Sequence, residues 1–358
     1  MSDVAAVLAL ARADIRRLSP YAHASWAPEL TRLHANELPW PANPGGGAPQ
    51  NRYPEPQPAE LLQALAQYYA VETAQLVATH GSDEAIDLIT RVFCRAGQDA
   101  VLTTPPTFGM FAVAAHVQGA AVIEVPLRAE QDFALDTAAV KAAISNNGNV
   151  RIVWLCSPNN PSGAHLAEDS IVEVIAAARG RALVVIDEAY GEFSSRPSLT
   201  RLLAQNPHLA ILRTLSKAHG LAGARIGAVI AHPQVIDLIR KIILPYTLSS
   251  GSIDSALAAL TPAALAETQR RVRELIAARE QLATDLKASP AIERVWPSDA
   301  NFLLVRCRPE SRLFERWVEA GLLVRDFRRT RGLENCLRVT VGTPEQNQRL
   351  RAVLGSRP

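Results

Sequence analysis

The chain has 358 residues, 48% of them hydrophobic, enough to bury a full core and to fit one large plus one small domain. Its 37 basic and 35 acidic residues leave a formal net charge of +2, so no strong field points to nucleic acid or an anionic membrane. Cys94, Cys156, Cys307 and Cys336 are far apart without a CxxC pair, and the eight histidines show no HxxxH or HExxH spacing. A disulfide framework, a zinc site and metal catalysis are therefore not expected.

No apolar run approaches the roughly 20 residues that span a bilayer. The stretch from Ala5 to Leu10 follows an aspartate and leads into Arg12, Asp14, Arg16 and Arg17, which reads as an amphipathic helix rather than a signal peptide. A soluble, cytoplasmic protein is expected. Residues 1–30 read as a helix and a Pro-punctuated arm packed with the small domain. Residues 38–58, with Gly45-Gly-Gly47 at the centre, read as an irregular loop.

From Ala59 onward helix-period and strand-period segments alternate. Helices are expected at 61–69, 83–94, 108–118, 136–144 and 169–178, and strands at 100–103, 121–125, 151–155, 182–186, 209–213 and 226–231. Short apolar strands alternating with helices imply an α/β domain, a mostly parallel sheet covered on both faces, over residues 31–245. Pro245 to Gly251 breaks the pattern. Residues 246–358 then read as a smaller α+β domain. It has a long helix over 265–288 with Arg/Glu pairs at helical spacing, strands at 302–305, 322–325 and 336–340, and a closing helix from Pro344.

The chemistry concentrates at strand ends. In Thr214-Leu-Ser-Lys-Ala-His-Gly-Leu-Ala-Gly-Ala-Arg-Ile-Gly227, the Lys217 amine can condense with an aldehyde, while Ser216 and Arg225 can grip a phosphate. Pyridoxal phosphate carries both groups. Asp187 follows a buried apolar run, where it can pair with a pyridine nitrogen; it equally suits helix capping. Tyr190 and Asn160 can reach the ring's phenolic oxygen, although Asn160-Pro also suits a plain turn. Ser82 and Asp83 open a helix after Gly81, as an N-cap whose free amides form an anion site. Phe108 can stack on a ring face or simply join the core.

With Leu18-Ser-Pro-Tyr21, Leu33-His-Ala-Asn-Glu37, Asn51-Arg-Tyr-Pro54 and Leu337-Arg-Val-Thr-Val-Gly342, these motifs run along nearly the whole chain. The chain resembles the fold-type I, class II pyridoxal-phosphate aminotransferases, and within them the branch that acts on histidinol phosphate. The resemblance implies that Lys217 anchors the cofactor covalently and moves the substrate's Cα proton, that Asp187 holds the ring nitrogen, and that Asn160 and Tyr190 hold the phenolic oxygen. It gives Ser216, Arg225 and the backbone at Ser82 and Asp83 to the cofactor phosphate. Tyr53 would reach the cofactor phosphate of a second subunit, implying a homodimer. Tyr21, Asn36, Arg325 and Arg338 would bind substrate. Arg338 would take glutamate's carboxylate, and both arginines the histidinol phosphate group. The implied reaction converts L-histidinol phosphate and 2-oxoglutarate to imidazole acetol phosphate and glutamate, a step of histidine biosynthesis.

Four positions depart from the family's usual pattern: Phe108 for tyrosine, Leu38 for asparagine, His219 for an aromatic and Ser162 for threonine. Leu38 and His219 are expected near the site. A threonine-phosphate decarboxylase and an aromatic amino acid aminotransferase of the same fold stand as alternatives. A cofactor-sensing regulator would need a DNA-binding domain, for which only about 30 residues precede the core.

Overall fold

The computed structural model describes residues 3–23, 26, 29–42 and 50–355; the glycine run at 45–47 lies outside them. In chain order the helices are α1 (Asp3–Leu10), α2 (Ala13–Arg17), α3 (Ala59–Tyr69), α4 (Gly81–Phe93), α5 (Met110–Gln118), α6 (Thr137–Asn146), α7 (Glu168–Ala178), α8 (Pro233–Arg240), α9 (Ser250–Ala259), α10 (Pro262–Lys287), α11 (Leu313–Glu319) and α12 (Pro344–Gly355). The strands are β1 (Leu76–His80), β2 (Ala100–Thr103), β3 (Ala121–Glu124), β4 (Val150–Cys156), β5 (Leu183–Asp187), β6 (Leu209–Thr214), β7 (Ile226–Ala231), β8 (Ile292–Val295), β9 (Phe302–Cys307), β10 (Arg325–Asp326) and β11 (Cys336–Thr340).

Among the described residues the first seven strands form one sheet in the order β1-β7-β6-β5-β4-β2-β3. Pairing from β3 through to β6 is parallel, and β7 runs antiparallel to both β6 and β1. The sequence pattern anticipates this α/β architecture because β5, β6 and β7 are buried along their whole length and apolar up to the polar ends of β5 and β6, as a sheet covered on both faces requires. On one face Val77, Val101, Trp154, Val185 and Val229 pack with α4, α5 and α8; on the other Ala78, Leu102, Val153 and Ile186 pack with α3, α6 and α7.

The small unit is a four-stranded antiparallel sheet, β10-β11-β9-β8, packed against α10 and α12. Salt bridges among Glu267, Arg270, Arg271 and Glu274 line the exposed face of α10 at the spacing read from the sequence. The expected strand over 322–325 is a strand only at Arg325–Asp326, because β11 offers pairing partners there alone.

Two placements differ from the sequence expectation. The N-terminal helix packs on the large unit, not the small one: Val7 and Ala11 join the α4/α8 core, Asp3 pairs with Arg179, and Lys241 Nζ donates to the Arg16 carbonyl. The apolar residues of α9 also lie on the large unit, against α3 and β7. Among the described residues no helix is long and apolar enough to cross a membrane, and the four cysteines are buried and free.

Candidate active site

In open parallel sheets, ligands lie beyond the carboxyl ends of the strands. Here β1, β2, β4, β5 and β6 all end at one edge, and antiparallel β7 begins there. The residues that follow these ends are Ser82 and Asp83, Phe108, Asn160, Tyr190, and Ser216 with Lys217; Asp187 closes β5, and Arg225 precedes β7. All of them line one cavity of about 640 Å³, whose far side is closed by Arg325 and Arg338 from the small sheet.

At the helix end of the cavity, α4 begins at Gly81, two residues earlier than expected. No side chain caps it, so Ser82 and Asp83 occupy its first turn instead of the N-cap position. Gly81 has φ +75°, and a Cβ there would fall 2.3 Å from Arg225 Nη2. Asp83 turns its carboxylate to Arg225 Nη2 at 3.1 Å, and Arg225 Nη1 donates to Ser216 Oγ at 3.3 Å. Ser216 Oγ also accepts from Thr214 Oγ1 at 2.9 Å. Uncapped first-turn amides, a hydroxyl and a guanidinium therefore converge, which is the donor set of a phosphate cradle.

Asp187 is almost fully buried; its Oδ1 accepts from the Ala189 amide at 2.9 Å. Burial pushes its carboxyl up to about 6, against the opposing pull of the Ala189 hydrogen bond and Lys217. The neighbouring Cys156 thiol is pushed far up, by burial first and by Asp187 second. Lys217 Nζ lies 5.5 Å from the centre of the Tyr190 ring. Partial burial, aided by the charge of Arg338, lowers its proton affinity. Asn160 Nδ2 donates to the Tyr190 hydroxyl at 3.4 Å, while Asn160 Oδ1 accepts from Arg338 Nη1. Arg338 stands over the Phe302 ring at 5.1 Å with its Nε buried and without a hydrogen-bond partner.

Three predicted residues do not reach this cavity. Tyr53 stacks on Tyr246 at 4.6 Å and is half exposed, Tyr21 is exposed, and Asn36 sits exposed after the arm with φ +57°. Leu38 is 63% exposed and does not line the cavity. His219 does not line it either: it packs edge-on against Tyr68 at 5.1 Å. Ser162 is buried and accepts from Asn159 Nδ2, a local turn contact. The cavity also includes Thr107, Cys156, Phe327 and Thr330, which sequence reading missed. Thr107 and Cys156 carried the same signal as the others, a position at the end of a strand; Phe327 and Thr330 carried none.

The profile of the family described as "Aminotransferase class I and II" matches residues 42–354. The chain belongs to that aminotransferase family. It is 46% identical to "Histidinol-phosphate aminotransferase" of Stenotrophomonas maltophilia (strain R551-3), with 99% of this chain and 98% of that one covered. It is also 46% identical to the protein of the same name from Xylella fastidiosa (strain 9a5c), over 97% and 96% of the two chains. Among solved structures, the histidinol-phosphate aminotransferase of Sinorhizobium meliloti in complex with pyridoxal-5'-phosphate superposes with a TM-score of 0.76. That pair is 26% identical over 85% of this chain and 82% of that one. The aminotransferase fold accounts for a cavity between a large, mostly parallel sheet and a small antiparallel one.

Proposed function

We propose that this aminotransferase uses pyridoxal phosphate to exchange an amino group between L-histidinol phosphate and 2-oxoglutarate. One observation carries the reading. A buried carboxylate, Asp187, and a lysine amine, Lys217, face one cavity whose opposite wall holds two arginines. The names of relatives at 46% identity over nearly the full length support histidinol phosphate as the amino donor.

The residues fit the cofactor. An isolated buried carboxylate is costly, and a protonated pyridine nitrogen would satisfy Asp187. The uncapped start of α4, Ser216 and Arg225 offer donors for a phosphate, Asn160 and Tyr190 for a phenolic oxygen, and Phe108 an apolar face. When bound, pyridoxal phosphate supplies an aldehyde that captures an amine and a cationic ring that draws negative charge from the substrate's Cα.

The chain's own groups do the rest. Lys217 Nζ, its ammonium form disfavoured by partial burial, takes the proton from the substrate's Cα and returns it on the far side of the exchange. Arg338 and Arg325 orient the substrate by its anions, Arg338 the glutamate carboxylate and the pair the phosphate. Tyr21 acts from the arm, and Asn36 and Tyr53 from the segment that follows it. The exposed apolar residues there, among them Leu30, Leu33, Trp40 and Tyr53, together with Leu244, suit burial against a second copy. The working unit is then a homodimer in which Tyr53 serves the neighbour's cavity.

The test is a direct comparison of 2-oxoglutarate-dependent amino transfer from histidinol phosphate, phenylalanine and tyrosine with carbon dioxide release from threonine phosphate. Preference for histidinol phosphate without carbon dioxide release is expected; decarboxylation, or faster transfer from aromatic amino acids, would overturn the substrate assignment. Mixing a Lys217→Ala chain with a Tyr53→Phe chain should restore activity above either alone if sites are shared across a dimer.

A further inference from the structure

A buried ion cluster behind the cavity ties the segment that follows Asp187 to the end of β6, just before Lys217. Arg213, near the end of β6, is only 7% exposed. Its Nη1 donates to Glu188 Oε2 at 2.7 Å and its Nη2 to Glu192 Oε1 at 2.5 Å. Glu188 accepts further from Ser198 Oγ at 2.6 Å and from the Leu199 amide at 2.8 Å. The guanidinium lies 5.1 Å over the Tyr69 ring. The chain passes so close that a Cβ at Gly191 would fall 2.4 Å from Arg213 Nη1.

The positions of these charges matter more than their number. Glu188 directly follows Asp187, and Glu192 lies two residues past Tyr190; Arg213 precedes Lys217 by four residues (217 − 213 = 4). The β5–β6 ladder ends at the pair Asp187 and Leu212, so side chains must hold the two loops in register beyond it. A brace needed only for stability could be apolar, since a buried ion pair often stabilises no better than well-packed hydrophobic residues. A guanidinium fork does something an apolar contact does not: it sets the direction and spacing of two carboxylates at once.

We infer that Arg213 is a positioning residue. By clasping Glu188 and Glu192 it fixes the separation of the Asp187 carboxylate and the Lys217 amine. This rests on the reading of the cavity as a pyridoxal phosphate site. It extends that reading to a residue outside the cavity.

The test uses holoenzyme carrying Arg213→Lys, which keeps the charge but cannot grip two carboxylates in a fixed plane, and Glu192→Gln, which keeps the shape but removes the charge that holds one arm. Three quantities are read: the pH midpoint of the bound cofactor's visible absorbance, kcat against KM, and the melting temperature. A midpoint displaced by about half a pH unit or more is expected, with kcat lowered about 10- to 100-fold and KM for histidinol phosphate within about twofold of the parent. A lowered melting temperature with parental midpoint and kcat in the variants that fold would reduce the cluster to a structural brace and overturn the inference. Should Arg213→Lys fail to fold, Glu192→Gln alone decides on the same criteria. If the parent enzyme itself shows no pH-dependent cofactor absorbance, the function proposed above fails instead.

Discussion

Arg325 and Arg338 are direct partners in the β10–β11 ladder, and both guanidinium groups look into the cavity. Between them lies Phe327, 5.7 Å from Arg325 and 5.8 Å from Arg338, and no carboxylate of the described residues pairs with either arginine. Burial, with the charge of Arg325 adding to it, lowers the proton affinity of Arg338. Two like charges held together over apolar rings suit a doubly charged anion.

Arg338 also donates to Asn160, so it serves both the small sheet and the cofactor side of the cavity. Arg338→Ala should therefore raise KM for glutamate and for histidinol phosphate alike, by about 10- to 100-fold for the loss of a charge-assisted hydrogen bond. Arg325→Ala should act mainly on the phosphorylated substrate. Steady-state kinetics with both donors check the split, and equal losses in the two variants would contradict it.

Asp187 makes a second prediction, on the protein without cofactor. Its carboxyl is raised to about 6 from an ordinary value of 3.8. The folded chain thus binds more protons than the unfolded chain between those values, and stability falls as pH rises through that window. The window is worth on the order of 2 to 3 kcal/mol. Asp187→Asn should melt higher than the parent at pH 7 to 8, the gap closing toward pH 4, while binding pyridoxal phosphate more weakly. Melting curves across pH measure the first effect and cofactor titration the second; parallel pH slopes for the two proteins would sink the argument.

Much of this site was readable because its residues sit where apolar strands stop. The run Leu183 to Ile186 ends in a charge, and Ile152 to Leu155 is soon followed by Asn160; a change from β-branched residues to polar ones marks the sheet edge. The edge strand β1 escaped notice because Leu76-Val-Ala-Thr-His80 is short and sits between helical patterns with little turn chemistry. The Arg213 cluster was invisible for another reason: arginine and glutamate are usually solvated, and only tertiary packing buries them. Helix α1 could equally have covered either unit, since an amphipathic face does not name its partner. Tyr21, Asn36 and Tyr53 have no partner in the cavity of their own chain, and intrachain patterns say nothing of a second copy.

Lys217 gives the third prediction. Its Nζ has the Tyr190 ring on one side and the electrostatic pull of Asp187 and Asp83 opposed by Arg338 and Arg225. Borohydride treatment of the holoenzyme should add the mass of the reduced cofactor to the chain, at the peptide containing residue 217. Lys217→Ala should show no such addition and lose about 10²- to 10⁴-fold or more in turnover, the usual contribution of a positioned proton-transfer group. A mass gain persisting in the variant would assign the anchor to another residue.

The fourth prediction concerns Gly227, a residue with no functional group at all. It lies in β7 opposite Thr79, where the β1–α4 corner crosses close above it. A Cβ at this position would fall 2.5 Å from the Gly81 carbonyl carbon and 2.7 Å from the Ser82 amide nitrogen. Both are backbone atoms, so no side chain can swing aside; the start of α4 itself must shift. Gly227→Ala should therefore destabilise the fold by about 1 to 3 kcal/mol, as other overpacked sites do. It should also weaken pyridoxal phosphate binding, because the displaced amides of Ser82 and Asp83 are those proposed to face the phosphate. Cofactor titration of the folded variant separates the two effects. A parental dissociation constant would mean that the first turn of α4 contributes nothing to holding the phosphate.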